Sequence, residues 1–164
     1  MESNSLELYL LRHGIAEDRA PSGRDPDRAL TDRGKEKLEK VLRRAQKSGV
    51  QPTLIISSPY KRALETAEIA ARELDYHSEI VKSERLTPHS TPHDLWSEVR
   101  AHRDEPSILL AGHEPLFSAA VAWMVGSTRA MVDFKKGGLA RIDFANVGAD
   151  PRGVLQWLIT ARVS

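Results

Sequence analysis

The sequence predicts an α/β domain of three layers, a three-layer α/β/α sandwich in which helices cover both faces of a mostly parallel sheet. Three observations point there. Short apolar runs, Leu6 to Leu11, Thr53 to Ile56 and Ser107 to Ala111, each end in a polar turn. Between them lie stretches whose apolar residues recur at helical spacing. After about residue 130 the pattern changes to two extended segments, 130–144 and 153–162, which would add antiparallel strands to a parallel core.

Leu6-Glu7-Leu8-Tyr9-Leu10-Leu11 stops at Arg12-His13-Gly14 and a loop rich in Pro, Gly, Asp and Arg, the signature of a buried first strand. Leu38, Val41, Leu42 and Ala45 then mark one face of an amphipathic helix, with Thr31 as N-cap and Gly49 as stop. Thr53-Leu54-Ile55-Ile56 reads as a second strand, broken by Ser57-Ser58-Pro59. Ala63, Ala67, Ala70 and Leu74 define the next helix. Glu79-Ile80-Val81 is a short strand, and Thr91-Pro92 offers an N-cap followed by proline at the first helical position, for a helix ending near His102. The run 107–111 closes on Gly112-His113-Glu114-Pro115 and leads into a well-buried helix over 116–125. Asn146 to Pro151 is a loop of turn formers. No internal repeat or linker interrupts the chain, so residues 1–164 are expected to form one domain.

Composition narrows the chemistry. There is no cysteine, which removes disulfides, thiolate metal sites and a cysteine nucleophile. Twenty-four Lys and Arg against 23 Asp and Glu give a net charge of +1, so no overall field would gather nucleic acid or anionic lipid. No segment reaches the roughly 18 apolar residues of a membrane span. The polar start, Met1 to Ser5, followed by a seven-residue run is too short and wrongly flanked for a secretory signal, and the expected setting is the cytoplasm.

Three of the strands end in unusual polar groups: Arg12-His13 after the first, Ser58 to Arg62 after the second, Gly112-His113 after the fourth. In open α/β sheets that edge is where ligands bind. Two imidazoles and at least two guanidiniums would meet there. A guanidinium fork matches phosphate oxygens, and a neutral imidazole nitrogen can attack phosphorus.

Four motifs in order, Leu11-Arg12-His13-Gly14, Ala29-Leu30-Thr31-Asp32-Arg33-Gly34, Ser57 to Ala63 with Thr66-Ala67, and Gly112-His113-Glu114-Pro115, give the chain a clear likeness over nearly its whole length. It resembles the histidine phosphatases related to cofactor-dependent phosphoglycerate mutase, and within them the small SixA-type phosphohistidine phosphatases. The resemblance implies that His13 is the nucleophile, forming a phosphohistidine intermediate, and that Arg12, Arg62 and His113 hold the phosphoryl oxygens. Arg28 matches a further arginine before the Leu-Thr helix start, although its charged loop fits a surface ion pair equally well. Gly14 and Glu114 complete the expected substrate contacts. No metal or cofactor is expected.

The mutase and broad phosphatase branches carry a carboxylate general acid after the third strand. Arg85-Leu86-Thr87-Pro88-His89 has none in the matching place, as in SixA-type members, with Glu84, Glu114 and His89 as possible substitutes. An alkoxide leaving group needs a proton, whereas the imidazole of phosphohistidine departs readily once protonated. The expected substrate is therefore phosphohistidine on a protein, for example a phosphotransfer-type domain. A small-molecule phosphomonoesterase is the alternative, and a silent phosphate-binding module a more distant one.

Other features read more plainly. His89, His93 and Asp94 lack a metal-binding context. Charges along the first helix are its solvated face, and the tryptophans are core or edge residues. Lys135-Lys136-Gly137-Gly138 reads as a hairpin turn, or as a flexible basic turn able to meet an acidic protein rim.

Overall fold

The computed structural model describes residues 4–162; Met1 to Ser3 of the polar start, with Val163 and Ser164, lie outside them. The strands are β1 (Leu6–Arg12), β2 (Leu54–Ser57), β3 (Ile80–Lys82), β4 (Ser107–Gly112), β5 (Leu139–Phe144) and β6 (Gly153–Ile159), and the helices α1 (Asp32–Lys47), α2 (Lys61–Glu73), α3 (Pro92–Ala101) and α4 (Leu116–Met124). They form a single six-stranded sheet in the order β3-β2-β4-β1-β5-β6. β3, β2, β4 and β1 run parallel, and β5 and β6 are antiparallel additions.

Side chains alternate across each strand, so the two faces bury different residues. Leu8, Leu10, Ile56, Ile108 and Leu110 point to the face covered by α3 and α4, where they pack with Trp96, Phe117 and Phe134. Tyr9, Leu11, Ile55, Leu109 and Ala111 point to the other, against Leu38, Val41, Leu42, Ala67 and Ala70 of α1 and α2. The central strands are thus covered on both sides, as the near-continuous apolar runs of β1 and β4 require.

Helix ends follow the sequence signals. The Thr31 hydroxyl accepts from the Gly34 N–H at 3.0 Å. Thr91 and Asp94 form a reciprocal capping box with Pro92 inside it. Gly49, at φ +87°, ends α1 in a conformation that disfavours a side chain. No helix among the described residues is long and apolar enough to cross a membrane.

The extended reading of 130–144 needs correction. Only Leu139–Phe144 is strand, because only this part finds a partner, in β1. Residues 130–138 are irregular: Phe134 is buried against Phe117, with ring centroids 5.7 Å apart, and Lys135 to Gly138 make a tight turn with Gly137 at φ +73°. Likewise 153–162 pairs only as far as Ile159.

Glycine brings α1 against the turn after β1. A Cβ on Gly34 would lie 2.3 Å from the Ile15 carbonyl oxygen and 2.9 Å from its nitrogen, contacts with backbone that no rotamer relieves. Gly34→Ala is therefore expected to cost about 2 kcal/mol or more, read as a lower urea midpoint at an unchanged slope.

Candidate active site

β4 lies between β1 and β2, so the turns leaving these three strands emerge side by side. The register aligns them: Arg12 is opposite Gly112, and Ser57 opposite Ala111. Beyond the strands the ladder continues, the His13 N–H donating to the Gly112 carbonyl at 2.9 Å and the Ser58 N–H to the Ala111 carbonyl at 3.0 Å. Parallel pairing thereby brings together residues from positions 12–14, 57–62 and 112–114.

His13 and His113 are buried, their rings tilted with centroids 5.1 Å apart. His13 Nδ1 lies 2.8 Å from the Gly14 carbonyl oxygen, an acceptor only, so Nδ1 carries the proton and donates it. The lone pair is then on Nε2. His113 Nε2 lies 2.8 Å from Ser58 Oγ, which itself accepts from the Tyr60 N–H at 3.2 Å. The Ser58 hydroxyl, accepting from that N–H, is able to donate its own proton to Nε2, and in that tautomer the His113 proton is on Nδ1. That Nδ1 is buried without a partner.

The guanidiniums are held from behind. Arg62, in the first turn of α2 and 5% exposed, donates to the Asp25 carbonyl at 3.0 Å and to its carboxylate at 3.1 Å. Its Cζ lies 5.1 Å from the centroid of the Tyr60 ring, whose edge also meets His113. Arg12 donates to the Phe134 carbonyl at 2.6 Å. Each arginine nevertheless keeps a buried Nε with no acceptor.

Burial pushes the His13 pKa down to about 4, with Arg62, Arg12 and Lys136 adding to the shift against the Gly14 hydrogen bond. The neighbouring cations reinforce the shift, but less than desolvation does. His113 is driven lower still by burial, then by His13 and Arg62, with Asp25 opposing. Both rings are neutral at physiological pH.

Of the other predicted residues, Gly14 belongs to the cluster's frame. Its N–H donates to Thr66 Oγ1 at 3.2 Å, and a Cβ there would meet Leu38 at 2.8 Å. Arg28 makes the ion pair that its loop suggested, to Asp25 at 2.9 Å, and also donates to the Glu17 carbonyl at 2.6 Å. Because Asp25 bridges Arg28 and Arg62, Arg28 braces the cluster through that carboxylate. Arg28, then Arg62, hold the Asp25 carboxyl below its usual range. The Glu114 carboxylate accepts from the Ser118 N–H at 2.6 Å and so caps α4, while its charge supports the Arg12 cation. Glu84 and His89 are exposed in the segment after β3. His93 stacks on Trp123, and the Asp94 carboxylate serves the capping box.

Asp25, Ser58, Tyr60 and Thr66 also belong to the cluster, and the sequence reading gave them no role. Ser58, Tyr60 and Thr66 flank Arg62 in the third motif, a positional hint. Asp25 had no such signal, since its loop must fold back before it can reach Arg62.

Two neutral imidazoles and two braced guanidiniums at the carboxyl edge of a parallel sheet define an α/β protein equipped to hold a tetrahedral oxyanion. The family pattern described as histidine phosphatase superfamily (branch 1) matches residues 8–89, and the chain belongs to that superfamily. An uncharacterized protein of Picosynechococcus sp. is 37% identical over 138 residues, 82% of each chain. The solved structure of the protein histidine phosphatase SixA complexed with tungstate aligns at a TM-score of 0.85 and 23% identity, over 96% of this chain and 98% of that one. The Agrobacterium tumefaciens protein assigned as phosphohistidine phosphatase SixA gives 0.80 and 26%, over 94% and 97%. A phosphoserine phosphatase mutant from Entamoeba histolytica in complex with phosphoserine gives 0.69 and 14%, over 96% and 98%, a likeness of fold alone.

Proposed function

We propose that this chain is a phosphohistidine phosphatase with His13 as nucleophile and Arg12, Arg62 and His113 as the phosphoryl clamp. One observation carries the reading. Among the described residues, five buried side-chain nitrogen or oxygen atoms lack a partner, and Arg12 Nε, Arg62 Nε and His113 Nδ1 are three of them. Buried polar atoms are normally satisfied, so three unpartnered ones in one cluster support the reading of a site for an acceptor-rich ligand. The tungstate named for the similar SixA structure is an oxyanion of that shape.

In the first step His13 Nε2 gives its lone pair to phosphorus while the bond from phosphorus to the substrate's imidazole nitrogen breaks. A phosphohistidine protonated on its other ring nitrogen leaves as neutral imidazole, so no enzyme carboxylate is required. The phosphorylated His13 ring is cationic, with Nδ1–H still held by the Gly14 carbonyl. In the second step water attacks phosphorus, the bond to Nε2 breaks, and inorganic phosphate departs with the water proton shared between it and solvent. The clamp stabilises the equatorial oxygens in both steps.

The testing panel is a phosphohistidine-bearing phosphotransfer domain set against sugar phosphates, nucleotides and phosphoserine. The expected result is a kcat/KM for the phosphohistidine protein at least about a hundredfold above the esters. Faster turnover of an ester would favour the phosphomonoesterase alternative. Tight phosphate binding without turnover of any compound would favour a silent module.

The His13 pKa has two consequences with the same sign. Activity needs the neutral ring, so the acid limb of kcat/KM is expected near pH 4 rather than near pH 6.5, after correction for substrate titration. Between those values the unfolded chain binds more protons than the native one, so stability falls as pH drops from about 6.5 to about 4. The loss from His13 alone is on the order of 3 kcal/mol, readable in urea midpoints across that range. A limb near 6.5 would show that the folded ring is not desolvated.

A further inference from the structure

Beside the phosphoryl cluster lies an open cavity of about 630 Å³ that shares Arg12 with it. Among the described residues, five cationic side chains, Arg12, Lys37, Lys135, Lys136 and Arg162, line it with one carboxylate, that of Asp133. Asp133 is already engaged, 2.9 Å from Lys135 Nζ and drawing on Arg12. Among the described residues that line this space, no other carboxylate faces Lys37, Lys136 or Arg162.

The turn carrying Lys135 and Lys136 is not a free hairpin. The Gly137 N–H donates to the carbonyls of both Arg12 and His13, each at 3.1 Å, and the Arg12 N–H donates to the Gly138 carbonyl at 3.0 Å. The Gly138 N–H closes the turn on the Lys135 carbonyl at 2.9 Å. A left-handed Gly137 makes the geometry possible. The basic turn is therefore tied to the nucleophile's own backbone, and Lys136 is close enough for its charge to act on the His13 ring.

We infer that this cavity is a second-anion subsite, which selects substrates bearing a carboxylate or further phosphate next to the phosphoryl group held by Arg12 and His13. The inference rests on the phosphoryl site proposed above and adds a specificity element to it. The arrangement suits a second anion for a physical reason. Cations fixed around a concave surface concentrate their field, and a phosphoryl group bound next door leaves Arg12 partly neutralised but Lys37, Lys136 and Arg162 unmatched. A substrate supplying one more negative charge gains their attraction. A neutral surface must cover them at a desolvation cost.

Two matched pairs of ligands test the subsite. The first is a phosphohistidine peptide flanked by Asp and Glu against the same peptide with Asn and Gln, compared by kcat/KM. The second is 3-phosphonopropionate against its carboxamide, compared by calorimetric Kd, which requires no turnover. Wild type is expected to favour the acidic member about tenfold at low salt, with the preference shrinking as ionic strength rises. Lys37→Gln with Lys136→Gln is expected to bring the ratio within about twofold, while the Lys→Arg pair retains it. Preference in the peptide arm identifies a protein carboxylate as the partner, and preference in the phosphonate arm a small dianion. Ratios near one in wild type in both arms, or ratios unchanged in the Gln pair, would overturn the subsite. Failure of the phosphohistidine reading has a different signature: no turnover of either peptide, with the phosphonate ratio still decisive for the cavity.

Discussion

Replacing His13 by alanine is expected to lower kcat by at least about four orders of magnitude and to abolish phosphoryl labelling of the quenched enzyme. The size follows from the ring's place in the cluster. With Nδ1–H committed to the Gly14 carbonyl, Nε2 is the atom with a free lone pair, and a pKa of about 4 keeps it unprotonated across the working range. Among the described residues, no second nucleophile in the cluster has comparable character. Nε2 of His113 is engaged by Ser58, and burial drives the ring's pKa lower than that of His13. Ser58 is itself fully buried and bonded to that ring. The alanine variant should remain folded, since removing a desolvated ring and its single backbone hydrogen bond leaves the sheet intact. Circular dichroism and the urea midpoint check this beside the kinetics. Equal label on wild type and variant would refute the covalent route.

Arg62→Ala is expected to cost about three orders of magnitude in kcat/KM, the range typical for losing a preorganised donor to a phosphoryl group. Part of the loss has another origin. Asp25 faces Arg62 with its carboxylate 3.1 Å away, and its charge already raises the His113 pKa. Without the guanidinium, that carboxylate would repel the incoming phosphoryl group and favour protonation of the imidazoles. Asp25→Asn is accordingly expected to lose about tenfold alone, through looser placement of Arg62. It is expected to recover about tenfold in the Arg62→Ala background, a sign reversal that marks coupled residues. Independent, additive losses would show that Asp25 neither orients Arg62 nor reaches the imidazoles. Arg28→Gln, which removes the opposite grip on Asp25, should lower kcat/KM in the direction of Asp25→Asn but by less.

Much of this arrangement was legible in the sequence. The apolar runs identified β1, β2 and β4, and Thr31, Gly49, Thr91 and Pro92 marked helix ends, because these signals depend on local backbone geometry. Arg12, His13, Arg62 and His113 stood at strand or helix edges, where polar residues next to apolar runs are conspicuous. The reading of 130–138 as extended failed because propensity cannot see whether a strand has a neighbour. Phe134 and Gly137 serve packing and a tight turn instead. Asp25 was invisible for a related reason: nothing local ties a loop carboxylate to a guanidinium 37 positions away. The carboxylate of Glu114 offered itself as a substrate contact or acid, and the structure employs it to cap α4.

By itself, the sequence determined the layer architecture, the absence of cysteine and the two imidazoles and two guanidiniums that stand at strand and helix edges, since composition, periodicity and motif order are properties of the chain. Tertiary structure alone decided which His13 nitrogen is free, what engages His113 and what braces Arg62. It also decided that a basic turn lies beside His13. Those depend on hydrogen bonds and fields between residues far apart in the chain, and they arise only when parallel pairing sets β1, β2 and β4 in register.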